Sequence, residues 1–159
     1  MALLGCLALL LAGCATGPRF DTRGVDRAVT PRQAVSEAAS LQGRRVLWGG
    51  VVVNSTNLAD ATRIEVLAYP LDSSQEPNLD ANPLGRFLAF KQGYLETADY
   101  SQGRRLTVIG TLSGVRRGKV GQANYDYPVI SAEQIYLWPS AGRPPRTQFH
   151  IGVGVIFGG

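Results

Sequence analysis

Arg45-Val46-Leu47-Trp48-Gly49-Gly50-Val51-Val52-Val53 is the stretch that decides the architecture. Its valines carry a branched Cβ that suits a pleated strand, yet two adjacent glycines interrupt the run. Glycine inside a strand marks a bulge or a sharp coiling of the ribbon, at a place where another backbone approaches closely. A strand bent in its middle points to a curved, closing sheet.

Upstream, Thr30-Pro31-Arg32-Gln33 reads as a helix start. Thr30 can cap, Pro31 occupies the first turn, and Gln33 can reach back to complete a capping box. Ala34, Val35, Ala38 and Leu41 continue at helical spacing, and the helix should end near Gln42-Gly43.

Downstream, Asn54–Asp60 is turn-like, and Thr62–Tyr69 alternates with Ile64, Val66 and Ala68 on one face, so the two runs make an antiparallel hairpin. Asp72–Pro83 is a loop, Arg86–Phe90 a short apolar strand, and Thr97–Gln102 a turn. Leu106–Leu112 is another alternating strand, Arg116–Gly121 a basic turn, and Tyr125–Tyr136 a last strand with a break near Ser131-Ala132. Gly43-Arg44-Arg45 and Gly103-Arg104-Arg105 each precede a β run holding a glycine at the same spacing, Gly50 and Gly110. Two copies would mark pseudo-symmetric strands in a barrel, although so short a match is ordinarily chance.

One short N-terminal helix and about five strands, the first and fourth bent by glycine, imply a mainly β fold. An OB-like antiparallel β-barrel, which removes exposed sheet edges, is the expected form, with a two-layer β-sandwich as the alternative. The chain divides into residues 1–13 as a signal peptide, 14–29 as a tether, 30–140 as the β-rich domain, and 141–159 as a Pro/Gly-rich linker with a terminal strand. In that tail Ile151, Val153, Val155 and Phe157 share one strand face. A lone strand cannot satisfy its backbone in lipid, so docking onto the domain is its expected fate, with another chain or the membrane surface as the alternatives.

Residues Ala2 to Gly13 form an apolar run too short to span a bilayer, which takes about 20 residues. It fits the apolar region and small-residue cleavage site of a secretory signal. Leu11-Ala12-Gly13-Cys14 resembles the lipobox of bacterial lipoproteins. That resemblance implies a diacylglyceryl thioether on Cys14, cleavage before it, and acylation of the new amine. Ala12 and Gly13 leave a peptidase room at the backbone, and Cys14 supplies the thiol. At about 0.8 kcal/mol per buried methylene, such chains anchor durably. No Lys or Arg precedes the apolar run, which leaves open a start upstream of Met1 or a positive end supplied by Met1 alone. Ala15, not Asp, follows the cysteine, which by resemblance to enterobacterial lipoproteins implies sorting to the outer membrane.

The only cysteines of the 159 residues are Cys6 and Cys14, and the only histidine is His150. A thiol protease, a His-rich zinc site or a serine triad within the β-rich body therefore lacks its parts. Net charge is +4, which suits phosphates, anionic headgroups or acidic polymers without selecting one.

A series of motifs then carries a family resemblance: Arg63-Ile-Glu-Val-Leu-Ala-Tyr-Pro-Leu-Asp-Ser-Ser, Gly85-Arg86-Phe87, Tyr94-Leu95-Glu96-Thr97-Ala98-Asp99-Tyr100, Gly118-Lys119-Val120-Gly121, Tyr125-Asp126-Tyr127-Pro128-Val129 and Leu137-Trp138-Pro139. Their order is similar to that of the Slp family, outer-membrane lipoproteins named for starvation induction in enteric bacteria. The resemblance covers about residues 11 to 139 and leaves out the tail. It implies outer-membrane localisation and a link to envelope stress or stationary phase. It implies no reaction, and Cys14 alone transfers as a functional residue.

Trp48, Arg86, Tyr94, Lys119, Tyr125 and Tyr127 are the residues expected to form a ligand surface, by analogy with OB grooves that stack rings and attract anions. Ordinary core aromatics and solvated cations would give the same composition. Lipopolysaccharide phosphates, peptidoglycan carboxylates or an envelope protein are the expected partners, and nucleic acid is not. Asp72, Glu76, Asp80, Glu96 and Asp99 do not match a calcium loop, and Gly118-Lys119-Val120-Gly121 is no phosphate-binding loop. No metal, catalytic residue or cofactor is expected beyond the lipid on Cys14, and the sequence sets no oligomeric state. The favoured class is a non-catalytic envelope binding or structural module. Its rival is an enzyme acting on cell-wall or lipid substrates through carboxylates.

Overall fold

Hydrogen bonds run right around the sheet. The computed structural model describes residues 17–140; Leu11, Ala12, Gly13 and Cys14, together with the tail from 141 to 159, lie outside the described residues. The elements are β1 (Val25–Asp26), α1 (Pro31–Ser36), α2 (Ala38–Leu41), β2 (Arg45–Asn57), β3 (Ala61–Tyr69), β4 (Gly85–Gln92), β5 (Arg105–Val120) and β6 (Ala123–Leu137). The strands pair in the order β2-β3-β4-β6-β5, and β5 pairs back onto β2. That closed circuit is an OB-like barrel, not a sandwich. It is antiparallel except at the β4–β6 join, where Leu88, Ala89 and Phe90 run parallel to Val129, Ile130 and Ser131; β1 lies parallel to the start of β2.

Alternation fills the interior. Ile64, Val66 and Ala68 of β3 face inward with Phe87 and Ala89 of β4, Val46, Trp48 and Val52 of β2, Leu106, Val108 and Leu112 of β5, and Ile130 of β6. Burying a side chain such as Phe87 contributes about 1.5–3 kcal/mol, and Phe87 is wholly buried. Ala34 and Leu41 from the two helices join the same core.

Closure depends on two glycines. Gly50 is paired on both edges at once, with Ala68 of β3 and Leu106 of β5. A Cβ there would lie 2.0 Å from the Leu67 carbonyl oxygen. Gly110 is likewise paired with Val46 and Ala132, and its Cβ would lie 2.3 Å from the Ser131 oxygen.

The sequence echo marks a real correspondence. Gly43 N–H donates to Leu112 O at 2.8 Å, and Leu112 N–H donates to Arg44 O at 2.8 Å. In the second copy Gly103 N–H donates to Val52 O at 2.9 Å, and Val52 N–H donates to Arg104 O at 2.8 Å. Each strand also carries an irregularity just beyond, at Val53 in β2 and Ser113 in β5. β2 and β5 are thus pseudo-symmetric partners about the Trp48–Val108 pair.

Several boundaries differ from the expected ones. The capping box at Thr30 and Gln33 is present, but the helix breaks at Glu37 (φ −118°, ψ 29°). Ser36 and Ser40 hydroxyls donate back to the Gln33 and Glu37 carbonyls there, a habit that weakens short helices. β2 runs on to Asn57, so the turn is shorter than Asn54–Asp60 and the bulge sits at Val53 rather than at the glycines. The segment Arg116–Gly121 is not a turn: strand continues to Val120, and only Gly121 and Gln122 reverse the chain, with Gly121 in the left-handed region at φ 58°. β6 passes unbroken through Ser131-Ala132, the irregularity being a single extra residue at Glu133.

Replacing Gly50 or Gly110 with alanine should destabilise the fold by about 3 kcal/mol, as overpacking against backbone does. Chemical denaturation of both variants checks this. A loss below about 1 kcal/mol would show that the ring closes without the close approach.

Candidate functional site

The expected ligand surface separates into three places. Trp48 belongs to the core: it is 5% exposed, its indole N–H donates to the Val29 carbonyl at 2.8 Å, and its ring meets Phe87 with centroids 5.1 Å apart. Trp138 is similarly spent, its N–H donating to Thr107 Oγ1 at 2.9 Å. Tyr94 is 71% exposed and donates to Glu96 at 3.1 Å. It follows the far end of β4, roughly 20 Å along the strand from Arg86 at 3.3 Å per residue.

Arg86, Tyr125 and Tyr127 do come together, on the outer face of β3, β4 and β6. Glu65, which carries no site signal in the sequence, holds them. Arg86 Nη1 donates to Glu65 Oε1 at 2.7 Å, and Tyr127 Oη donates to the same oxygen at 3.0 Å or to the Lys119 carbonyl at 3.1 Å. Tyr125 Oη accepts the Arg86 backbone N–H at 2.8 Å, and the two tyrosine rings meet edge to face at 4.7 Å. Lys119 takes part through its carbonyl, while its side chain is exposed.

The distal part of β5–β6, from Val115–Pro128 to its turn, pairs only with itself among the described strands, and this cluster ties it down. Gly118 leaves room for the Tyr127 ring, which a Cβ would meet at 3.0 Å. The guanidinium of Arg116 lies 4.8 Å from the Phe90 ring centroid. The Glu65 hydrogen bond raises the Arg86 pKa, and burial, followed by that carboxylate, raises the Tyr127 hydroxyl. Both shifts favour the charge states that hold the cluster closed. These contacts fasten the distal β5–β6 ribbon to the barrel.

The loop carboxylates also act structurally. Asp72 Oδ1 accepts the Ser74 and Glu76 N–H groups, Glu76 pairs with Arg105, and Glu96 accepts Ala98 N–H. Among the described residues no three His, Cys, Asp or Glu side chains gather to hold a metal.

A second feature had no sequence signal. A pocket of about 380 Å³ opens between the 27–31 segment and the loop after β3, floored by Leu47, Trp48 and Ala68 and walled by Tyr69, Leu71 and Leu84. Small-molecule pockets run from about 300 to 1,000 Å³. Arg27, Thr30, Asp72 and Gln75 supply its polar groups. Gln75 is held in the left-handed region at φ 67°, its carbonyl accepting from Thr107 Oγ1 at 2.6 Å, while its side-chain Oε1 is buried without a partner. Asp72 is the pocket's single carboxylate.

Comparison with known proteins points to one family for this chain. The family model for "Outer membrane lipoprotein Slp family" matches residues 11–153, extending past the expected 139 into the tail. Outer membrane protein Slp of Escherichia coli K12 is 29% identical over 140 residues, 86% of this chain and 73% of that protein. The uncharacterized lipoprotein YeaY of the same organism is 33% identical over 140 residues, 86% and 70% of the two chains. An uncharacterized protein of Haemophilus influenzae is 33% identical over 129 residues, 80% and 70%. A small single-stranded DNA-binding protein from Streptomyces coelicolor overlays with a TM-score of 0.40 at 16% identity, covering 64% of this chain and 99% of that one; so loose an overlay supports no transfer of activity. The class is that of envelope lipoproteins with an OB-like barrel. This chain belongs to the Slp family of outer-membrane lipoproteins.

Two predictions follow from these contacts. Glu65→Gln should cost about 2 kcal/mol by leaving the Arg86 cation without its partner, whereas Tyr127→Phe should cost about 1 kcal/mol for one hydroxyl bond; denaturation curves of the two variants give the comparison. Glu133 titrates below the usual glutamate range because Arg45 donates to it, with help from Thr111. Its folded pKa is depressed, so its contribution is present above the unfolded value of about 4.3 and fades as pH falls through the folded value. The stability gap between the wild type and Glu133→Gln should therefore close on acidification below about pH 4.3. A gap unchanged down to pH 2 would contradict that linkage.

Proposed function

We propose that the protein is a non-catalytic envelope module, anchored to the outer membrane by acyl chains on Cys14 with the barrel on the periplasmic side, serving the envelope in stress or stationary phase. The observation that carries the anchor is the Leu11-Ala12-Gly13-Cys14 run standing where the family match begins, at residue 11. In this reading the thiol takes a diacylglyceryl group, the leader 1–13 is removed, and the freed amine is acylated. Of the expected 14–29 tether, Val25–Asp26 pairs with β2, Val29 joins the core and Arg45 holds the Asp21 and Arg23 carbonyls, so the spacer this reading leaves between lipid and barrel is short.

The non-catalytic part is supported by where the carboxylates go. Glu65, Glu76, Asp126 and Glu133 each face an arginine rather than one another. General acid–base chemistry on sugars needs two carboxyls about 5–9.5 Å apart flanking the bond, and the pocket offers Asp72 alone, already accepting two backbone N–H bonds. A domain tethered there would meet lipopolysaccharide phosphates, peptidoglycan carboxylates or an envelope protein as partners.

Intact-mass analysis of protein taken from envelopes should find a chain starting at Cys14 with the mass of diacylglycerol plus one fatty acyl group. Cys14→Ser should abolish that mass and retain the leader. A mature chain with an unmodified thiol, or one that washes freely from the membranes, would overturn the anchor.

A further inference from the structure

We infer that the pocket between the 27–31 segment and the loop after β3 is an acyl-chain site, and that its occupant is one of the fatty acyl chains carried on Cys14. The inference rests on the anchor proposed above and adds a resting place for the lipid when no bilayer surrounds it.

Three observations converge. First, the pocket's lining is mostly apolar, with Leu47, Trp48, Leu71 and Leu84 among its walls, and Arg27, Thr30, Asp72 and Gln75 form its polar part. An apolar cavity gains by taking apolar surface out of water, without regard to direction. Second, the described part of the chain starts there. Gly17 passes against the loop, where a Cβ would sit 3.9 Å from the Ser74 carbonyl oxygen, and Ser74 adjoins Gln75 of the lining. Cys14 stands three residues earlier, and three residues span at most about 10 Å. Third, Gln75 Oε1 is buried without a partner in that lining. A buried acceptor calls for a donor. The amide N–H created by acylating the Cys14 amine is a donor that would meet it once the Gln75 amide turns into the cavity, leaving the hydrocarbon to run on toward Trp48.

At about 380 Å³ the pocket has room for no more than one chain. The others would remain for a membrane or carrier to take, so occupancy reduces the exposed hydrocarbon in transit without preventing anchoring.

The test uses the mature full-length protein from cells fed a diazirine-bearing fatty acid, transferred to amphipol without bilayer and irradiated. Peptide mass spectrometry should find Cys14-borne label cross-linked to the segment containing Leu47-Trp48 or to that spanning Tyr69–Gln75. Leu71→Trp, which fills the cavity from the loop, should abolish those cross-links while thermal melting stays unchanged. Should that variant fail to fold, Leu84→Trp fills the cavity from the opposite wall, and excess free palmitate should suppress the cross-links in the wild type. Label on Cys14 that cross-links only to amphipol or to other surfaces would overturn the pocket and leave the anchor standing. Cross-links that persist in a folded filled variant would do the same. Absence of label from Cys14 would overturn the anchor, and this inference with it.

Discussion

Ring closure at β2 is the constraint from which the rest of the molecule follows. One strand must hydrogen-bond to β3 on one edge and to β5 on the other within the same few residues, Gly49 to Val51. At Gly50 the β3 backbone comes so near that only a hydrogen fits. Gly49 does a related job on the outside: a Cβ there would meet the Leu71 methyl at 2.7 Å and the Leu106 oxygen at 2.9 Å. Leu71 can therefore settle over the strand and form a wall of the pocket. Gly50 thus serves the closure, and Gly49 the seating of Leu71 beside it.

Period-two alternation makes the interior legible in the sequence. Ile64, Val66 and Ala68 are all buried, as the pattern in β3 requires, and the capping box at Thr30 and Gln33 is a local device readable from four residues. Strand ends were less legible, because polar residues such as Ser55, Thr56, Arg116 and Arg117 pair in the ladder as well as apolar ones do. The twofold echo is only three residues and one glycine long. Its meaning lies in backbone pairing that no side chain advertises: Gly43 and Gly103 both adopt positive φ, 83° and 88°, at the entry to equivalent strands.

The site was illegible for a different reason. Aromatic and basic residues in alternation describe both a ligand groove and a set of fasteners, and composition does not separate them. The position of Glu65 does, but only once β3, β4 and β6 are aligned. Its carboxylate gathers Arg86 and Tyr127 from strands distant in sequence. The pocket had no pattern to read at all, since its walls come from a pre-strand segment, two barrel strands and a loop.

Where the cations go bears on what the surface can bind. Arg45 grips Glu133 and the Asp21 and Arg23 carbonyls, drawing the N-terminal segment onto the barrel. Arg105 takes Glu76 of the long loop, Arg104 takes the Asp99 and Trp138 carbonyls, and Lys91 takes the Glu133 carbonyl. A planar guanidinium suits such work because its fork meets several oxygens at fixed angles. Two buried threonines do the uncharged version, Thr62 holding Gly93 and Leu95, Thr107 holding Gln75 and Trp138. A small barrel has little core to spare for its appendages, so it attaches them by directed polar bonds. The consequence is that many of the described cations have their donors engaged within the molecule, leaving fewer for directed contacts with an anion, while the net charge of +4 is unchanged by such pairing. The space left for a ligand lies at the seams, where an appendage meets the barrel, and the seam beside Gly49 is apolar.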